Sequence, residues 1–117
     1  MHDSFKALID FIIPTGISDY FTMTHYSVGD DRLDIFLEEI NVIPEEFQAN
    51  KLISKGFFEP VTLQGFPLRG RQVYLHIKRR RWLNQDSQKV VYRNWELVAK
   101  GTRITQEFAD FLKAISR

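Results

Sequence analysis

The sequence predicts an α+β fold: an antiparallel sheet of two hairpins (about five strands) with an N-terminal and a C-terminal helix packed on it. Alternating apolar residues on both sides of turn-forming clusters mark the hairpins. Near the chain ends the apolar residues recur at spacings of three and four, the period of a helix with one buried face. With 117 residues, 44% of them hydrophobic and 26% charged, a single domain with a workable core is expected.

The first helix starts at Asp3 or Ser4, either of which can accept the free N–H groups of a first turn. Phe5, Leu8, Ile9 and Ile12 form its apolar face, and Pro14 with Gly16 stops it. Tyr20 to Ser27 reads as a strand, Gly29-Asp30-Asp31 as its turn, and Leu33, Ile35 and Leu37 as the inward face of the return strand. Asp30 and Asp31 are read as turn residues, since Asp favours turns for local reasons. Residues 41–56 form a connector. Within it Pro44-Glu45-Glu46-Phe47 fits one helical turn, and 51–56 fits either a helix end or a short strand. Phe57 and Phe58 are expected to reach the core.

The second sheet region begins with Pro60 to Leu63 as a short strand, followed by a turn at 66–70. Gln72 to Arg80 is the next strand, with Val73, Leu75 and Ile77 inward and Tyr74, His76, Lys78 and Arg80 outward. Held in that register, Arg79 and Arg81 would fall on the inward side, where an unpaired charge is costly. The strand must therefore leave the core, bulge or end near Ile77 or Lys78. Residues 84–88 make a polar turn. Lys89 to Ala99 is expected to return as a strand, with Val91, Arg93, Trp95 and Leu97 on one face. A last helix follows Thr105, an N-cap, with Phe108, Phe111, Leu112 and Ile115 as its stripe.

Charge divides this single domain (1–117) unevenly. Residues 1–65, the acidic helix-hairpin-connector half, carry four Lys/Arg against eleven Asp/Glu, a balance of −7. Residues 66–103, the basic hairpin, carry ten Lys/Arg against two acids, a balance of +8. The final helix, 104–117, is neutral. Either the halves neutralise each other or the basic half faces a polyanion.

Several chemistries find no support. Without cysteine there is no disulfide, thiolate metal site or thiol nucleophile. His2, His25 and His76 are scattered, so they are read as structural or surface imidazoles and no metal or other cofactor is expected. No glycine-rich loop leads into Lys-Ser/Thr, and the carboxylates sit mainly in a turn, a connector and strand edges. The chain is expected to be non-catalytic. Apolar runs such as Phe11-Ile12-Ile13 are far too short for a membrane span, and Met1-His2-Asp3 is no secretory lead-in. A cytoplasmic location and no membrane partner are the expectations.

Nucleic-acid binding has more behind it. Lys78-Arg79-Arg80-Arg81-Trp82 joins four consecutive cations to an indole at a strand end. Arg69, Arg71, Arg93, Lys100 and Arg103 extend the set of groups able to neutralise phosphates. Trp82 and Trp95 are each either stacking platforms for unpaired bases or core residues; alternation with Val91 and Leu97 favours core for Trp95.

The stretch Phe66 to Trp82, with Val90-Val91-Tyr92-Arg93-Asn94-Trp95 and Lys100 to Thr105, and over nearly the whole chain with Ile43 to Glu46 and Leu52 to Phe57, resembles the short N-terminal-region proteins of bacterial insertion-sequence (DDE-type) transposases, which are encoded beside a separate catalytic subunit. Its central part is more distantly similar to the zinc-ribbon region of single-chain transposases, without the cysteines that hold the zinc. The resemblance implies an accessory module. It would bind DNA through the basic hairpin, by Arg69, Arg71, Lys78 to Arg81, Trp82, Arg93, Lys100 and Arg103, and assist a catalytic transposase subunit. The alternative is a protein-interaction domain with no nucleic-acid contact.

Overall fold

The computed structural model describes residues 11–13, 16–101 and 106–115. The first predicted helix therefore lies almost wholly outside the described residues, as does Arg103; of Lys100 only the backbone is described.

The chain folds as α+β, but in two sheets rather than one. Strands β1 (Phe21–Val28), β2 (Arg32–Glu39), β4 (Val61–Gln64) and β5 (Gln72–Lys78) form a four-stranded sheet in the order β1-β2-β5-β4. Strands β3 (Leu52–Phe57), β6 (Arg80–Asn84) and β7 (Lys89–Tyr92) form a three-stranded sheet in the order β3-β6-β7. Two helices follow, α1 (Trp95–Gly101) and α2 (Gln106–Ile115). The β1–β2 hairpin forms as expected. The purely antiparallel arrangement does not, because β2 and β5 pair in parallel, Leu33 with Val73 through Glu38 with Lys78.

The core lies on one face of the larger sheet. Ile35 and Leu37 from β2, with Val73, Leu75 and Ile77 from β5, meet Ile13, Ile17, Phe21 and Trp95. Helix α2 covers them with Phe108, Phe111, Leu112 and Ile115, the stripe read from the sequence. Each such side chain, fully buried, contributes roughly 1.5–3 kcal/mol of transfer free energy. The other face of this sheet is polar and open.

The register argument explains why there are two sheets. Strand β5 stops at Lys78, and the chain resumes as β6 at Arg80 in a different sheet. Arg79 is the hinge, so the two side chains that could not enter the core at 79 and 81 never have to. The restart also inverts the fate of the indole, since Trp82 is fully buried, at 0% exposure.

The predicted strand from Lys89 to Ala99 is overturned. It ends at Tyr92, and a helix begins at Trp95. Asn94 is the reason: its side-chain Oδ1 accepts from the backbone N–H of Glu96 at 3.0 Å and of Leu97 at 3.3 Å. That is an N-cap, which satisfies donors a strand would have left to a neighbour. Trp95 then turns inward, stacked on Phe21 at 5.3 Å and edge-on to Tyr20 at 5.5 Å.

The segment left open between helix end and strand is β3. Its ladder with β6 is interrupted between Ser54 and Phe57, where Gly56 adopts φ of +84°. A residue with a side chain would be strained in that left-handed conformation, so the glycine allows the bulge that turns Phe57 and Phe58 toward β6.

Candidate nucleic-acid interface

The predicted basic residues do not form one surface. Arg69 and Arg71 belong to a tight turn at the start of β5, where Leu68 and Arg71 bridge. Arg71 Nε donates to the Gly29 carbonyl at 2.8 Å, tying that turn to the β1–β2 turn. The Lys78–Arg81 run starts at the other end of β5, whose last residue is Lys78, and continues into β6. Seven residues of strand, at about 3.3 Å each, separate the two groups by roughly 20 Å.

Two of the predicted contacts are interior residues. Trp82 donates its Nε1–H to Asn41 Oδ1 at 2.9 Å and presents no face to solvent. Arg93 is also buried, at 8% exposure. Its Nε donates to Glu39 Oε2 at 2.9 Å, and an Nη donates to the Val42 carbonyl at 2.6 Å. The rings of Tyr20, Trp82 and Trp95 surround its guanidinium at 5.3, 6.0 and 5.7 Å. Arg80 completes the node. Its backbone N–H donates to Glu39 Oε1 at 2.9 Å, and its Nε donates to the Glu39 carbonyl at 3.1 Å. Glu39 ends β2 in the larger sheet, whereas Arg80 opens β6 in the smaller one and Arg93 directly follows its last strand, β7. The node therefore fastens one sheet to the other. Burial pushes the Glu39 carboxyl above its ordinary value, and the hydrogen bonds from Arg93 and Arg80 oppose that shift.

What remains outward is an aromatic–cation face on the smaller sheet. Cross-strand partners share a face. Arg81 pairs with Tyr92, and Ile53, Leu83 and Val90 form a row across β3, β6 and β7. Tyr92 is 58% exposed, Val90 46% and Ile53 44%. The Phe58 ring meets Tyr92 edge-on at 5.3 Å. The guanidinium groups of Arg79 and Arg81 lie over Phe58, at 5.3 and 5.8 Å from its centre. Arg81 Nε also donates to the Lys55 carbonyl at 3.2 Å, which places Lys55 beside it. A concavity of about 490 Å³ opens next to this face, lined by Phe58, Arg79, Tyr92 and Asn94 among others, with Glu46 and Glu96 also on its wall. Cations held over aromatic rings suit contact with phosphates and with the faces of bases.

Phe58, Tyr92 and Lys55 are the functional candidates that the sequence reading passed over. Tyr92 carried a signal, since it falls on the strand face opposite Val91 and Arg93. Phe58 carried none, because adjacent phenylalanines read as core.

The open face of the larger sheet holds a second polar cluster. Asp34 accepts from Arg32 Nε and Nη2 at 2.8 and 2.7 Å. His76 Nε2 lies 2.7 Å from Asp34 Oδ1, and its Nδ1 lies 3.0 Å from Thr62 Oγ1. The Arg32 guanidinium and His76 hold the Asp34 carboxyl down at about 2. Phe36 is sandwiched between the rings of His25 and His76, at 4.0 and 4.5 Å. These contacts link β1, β2, β5 and β4 across the sheet. Both histidines thus act as struts, and no group of three potential metal ligands gathers among the described residues. No helix among the described residues is long and apolar enough to cross a membrane. No family model, curated protein or solved structure matches the chain.

Proposed function

We propose that the chain is a non-catalytic DNA-binding module that engages DNA through the outward face of its smaller sheet. The single observation that carries this reading is the stacking of Arg79 and Arg81 over Phe58 beside exposed Tyr92. In this reading Arg79, Arg81 and Lys55 supply the charge, while Trp82 and Arg93 build the scaffold. The resemblance of nearly the whole chain to transposase accessory proteins supports a place beside a separate catalytic transposase subunit, at the ends of a mobile element.

A second reading rests on Glu38 and Glu39. Lys78 pairs with Glu38 at 3.8 Å, and Arg93 and Arg80 converge on Glu39. The acidic and basic halves thus neutralise each other in part, as a protein-interaction domain without nucleic-acid contact would have them do.

A titration of labelled oligonucleotides at several salt concentrations separates the two. Three phosphate contacts predict a log–log salt slope of about −2 to −3. Salt-insensitive binding, or no binding at low salt, would leave only the second reading.

A further inference from the structure

The outward face of the smaller sheet has a composition that a double helix cannot use. A duplex presents phosphates along its flanks and takes a helix or a β-ribbon into its groove. The natural ribbon here is the β6–β7 hairpin, and its tip is Asn84-Gln85-Asp86-Ser87-Gln88, with an acid and no cation. Asp86 is moreover held in place, accepting from Asn50 Nδ2 at 3.1 Å and from the Lys51 N–H at 3.2 Å. The tip carries negative charge toward any groove it would enter. The middle of the face is apolar, the row Ile53–Leu83–Val90. Setting phosphates on that row would strip them of water without offering a partner.

Unpaired bases fit the same surface. They have apolar faces that gain from contact with aliphatic and aromatic side chains, and their phosphates lie to one side. Tyr92 projects beside Arg81, two residues along the strands from Leu83 and Val90 and on the same face. The cations cluster at that end of the row, at Arg79, Arg81 and Lys55. Apolar centre and positive border together define a stacking platform with a backbone track.

We infer that the ligand of this face is single-stranded DNA, with a base stacked on Tyr92 and neighbouring bases lying over Ile53, Leu83 and Val90. This rests on the DNA-binding reading above and narrows its substrate to an unpaired strand. A protein acting where strands are opened has use for such a platform.

The test compares a labelled 12-mer of deoxythymidine with a 12-base-pair duplex hairpin, at one salt concentration, for the wild type, Tyr92→Ala and Tyr92→Phe. The single strand is expected to bind at least about tenfold more tightly than the duplex. Tyr92→Ala should weaken single-strand binding by roughly five- to a hundredfold, with Tyr92→Phe close to wild type. Circular dichroism of each variant establishes that the fold is kept. Duplex binding as tight as single-strand binding, or an equal loss for both ligands in Tyr92→Ala, overturns the inference and leaves the DNA-binding reading standing. Binding to neither ligand overturns both. So does a dimer that buries the Ile53–Val90 row, detected by sedimentation and abolished by Val90→Asp.

Discussion

Arg93→Ala is expected to destabilise the protein by about 3–5 kcal/mol, the usual effect of removing one partner from a buried ion pair. Three losses combine. Glu39, 1% exposed, loses the Arg93 hydrogen bond that opposes the cost of burying its carboxylate. The Val42 carbonyl loses its donor. The cation among the rings of Tyr20, Trp82 and Trp95 disappears. A domain of this size has total stability of roughly 5–15 kcal/mol. The variant should therefore be partly unfolded at room temperature, or unfold at a much lower urea midpoint. Glu39→Gln is expected to cost less, because an amide oxygen can still accept from Arg80 or Arg93. Equilibrium urea unfolding measures both. A loss below about 1 kcal/mol in Arg93→Ala would mean that the sheets are held together elsewhere.

Trp82→Ala is expected to cost about 3–5 kcal/mol, as large-to-small substitutions of buried aromatics do. The indole is fully enclosed and its N–H is satisfied by Asn41. Its removal leaves a cavity in the smaller sheet next to Arg93 and Asn41, and strands the Asn41 acceptor. The size of the effect also decides between the two roles that the sequence allowed for this residue. A stacking platform on the surface would lose binding with little loss of stability, whereas a core indole loses stability first. The same urea experiment reads the difference.

Local patterning made much of the fold legible. The stripe Phe108, Phe111, Leu112 and Ile115 and the alternation in β2 and β5 follow from periodicity alone, and both line the core. The break after Ile77 followed from electrostatics, because Arg79 and Arg81 could not share a face with Val73. What replaced the continuous strand was not legible. A jump into a second sheet depends on Gly56 opening a bulge and on Trp82 finding Asn41, and both partners are distant in sequence. Parallel pairing of β2 with β5 is equally non-local, since alternation looks the same in either orientation. The helix at Trp95 is not legible in the sequence because the β-branched and aromatic residues before it outweigh a single asparagine cap.

The site was legible in kind and not in membership. A charge run at a strand end marks the corner of the molecule where the proposed face lies. Sequence adjacency nevertheless placed Arg80, Arg81 and Trp82 together, whereas alternation in β6 sends Arg81 outward and Trp82 inward. In the sequence Arg93 reads as a phosphate-neutralising cation although it shares its predicted strand face with Val91 and Trp95. Its placement among apolar neighbours was the available sign that a buried carboxylate had to meet it. That carboxylate, Glu39, gave no separate signal, as it ends a strand beside Glu38.

The most direct test of the proposed interface is a matched pair of charge reversals, Arg81→Glu and Arg69→Glu, measured by single-strand binding at fixed low salt. Both change the net charge equally and both residues were sequence candidates, but they sit roughly 20 Å apart at opposite ends of β5. If the outward face of the smaller sheet holds the strand, Arg81→Glu weakens binding by about tenfold or more, and Arg69→Glu by no more than the general loss of charge, about twofold. Equal losses, or a larger loss at Arg69, would contradict the placement of the site.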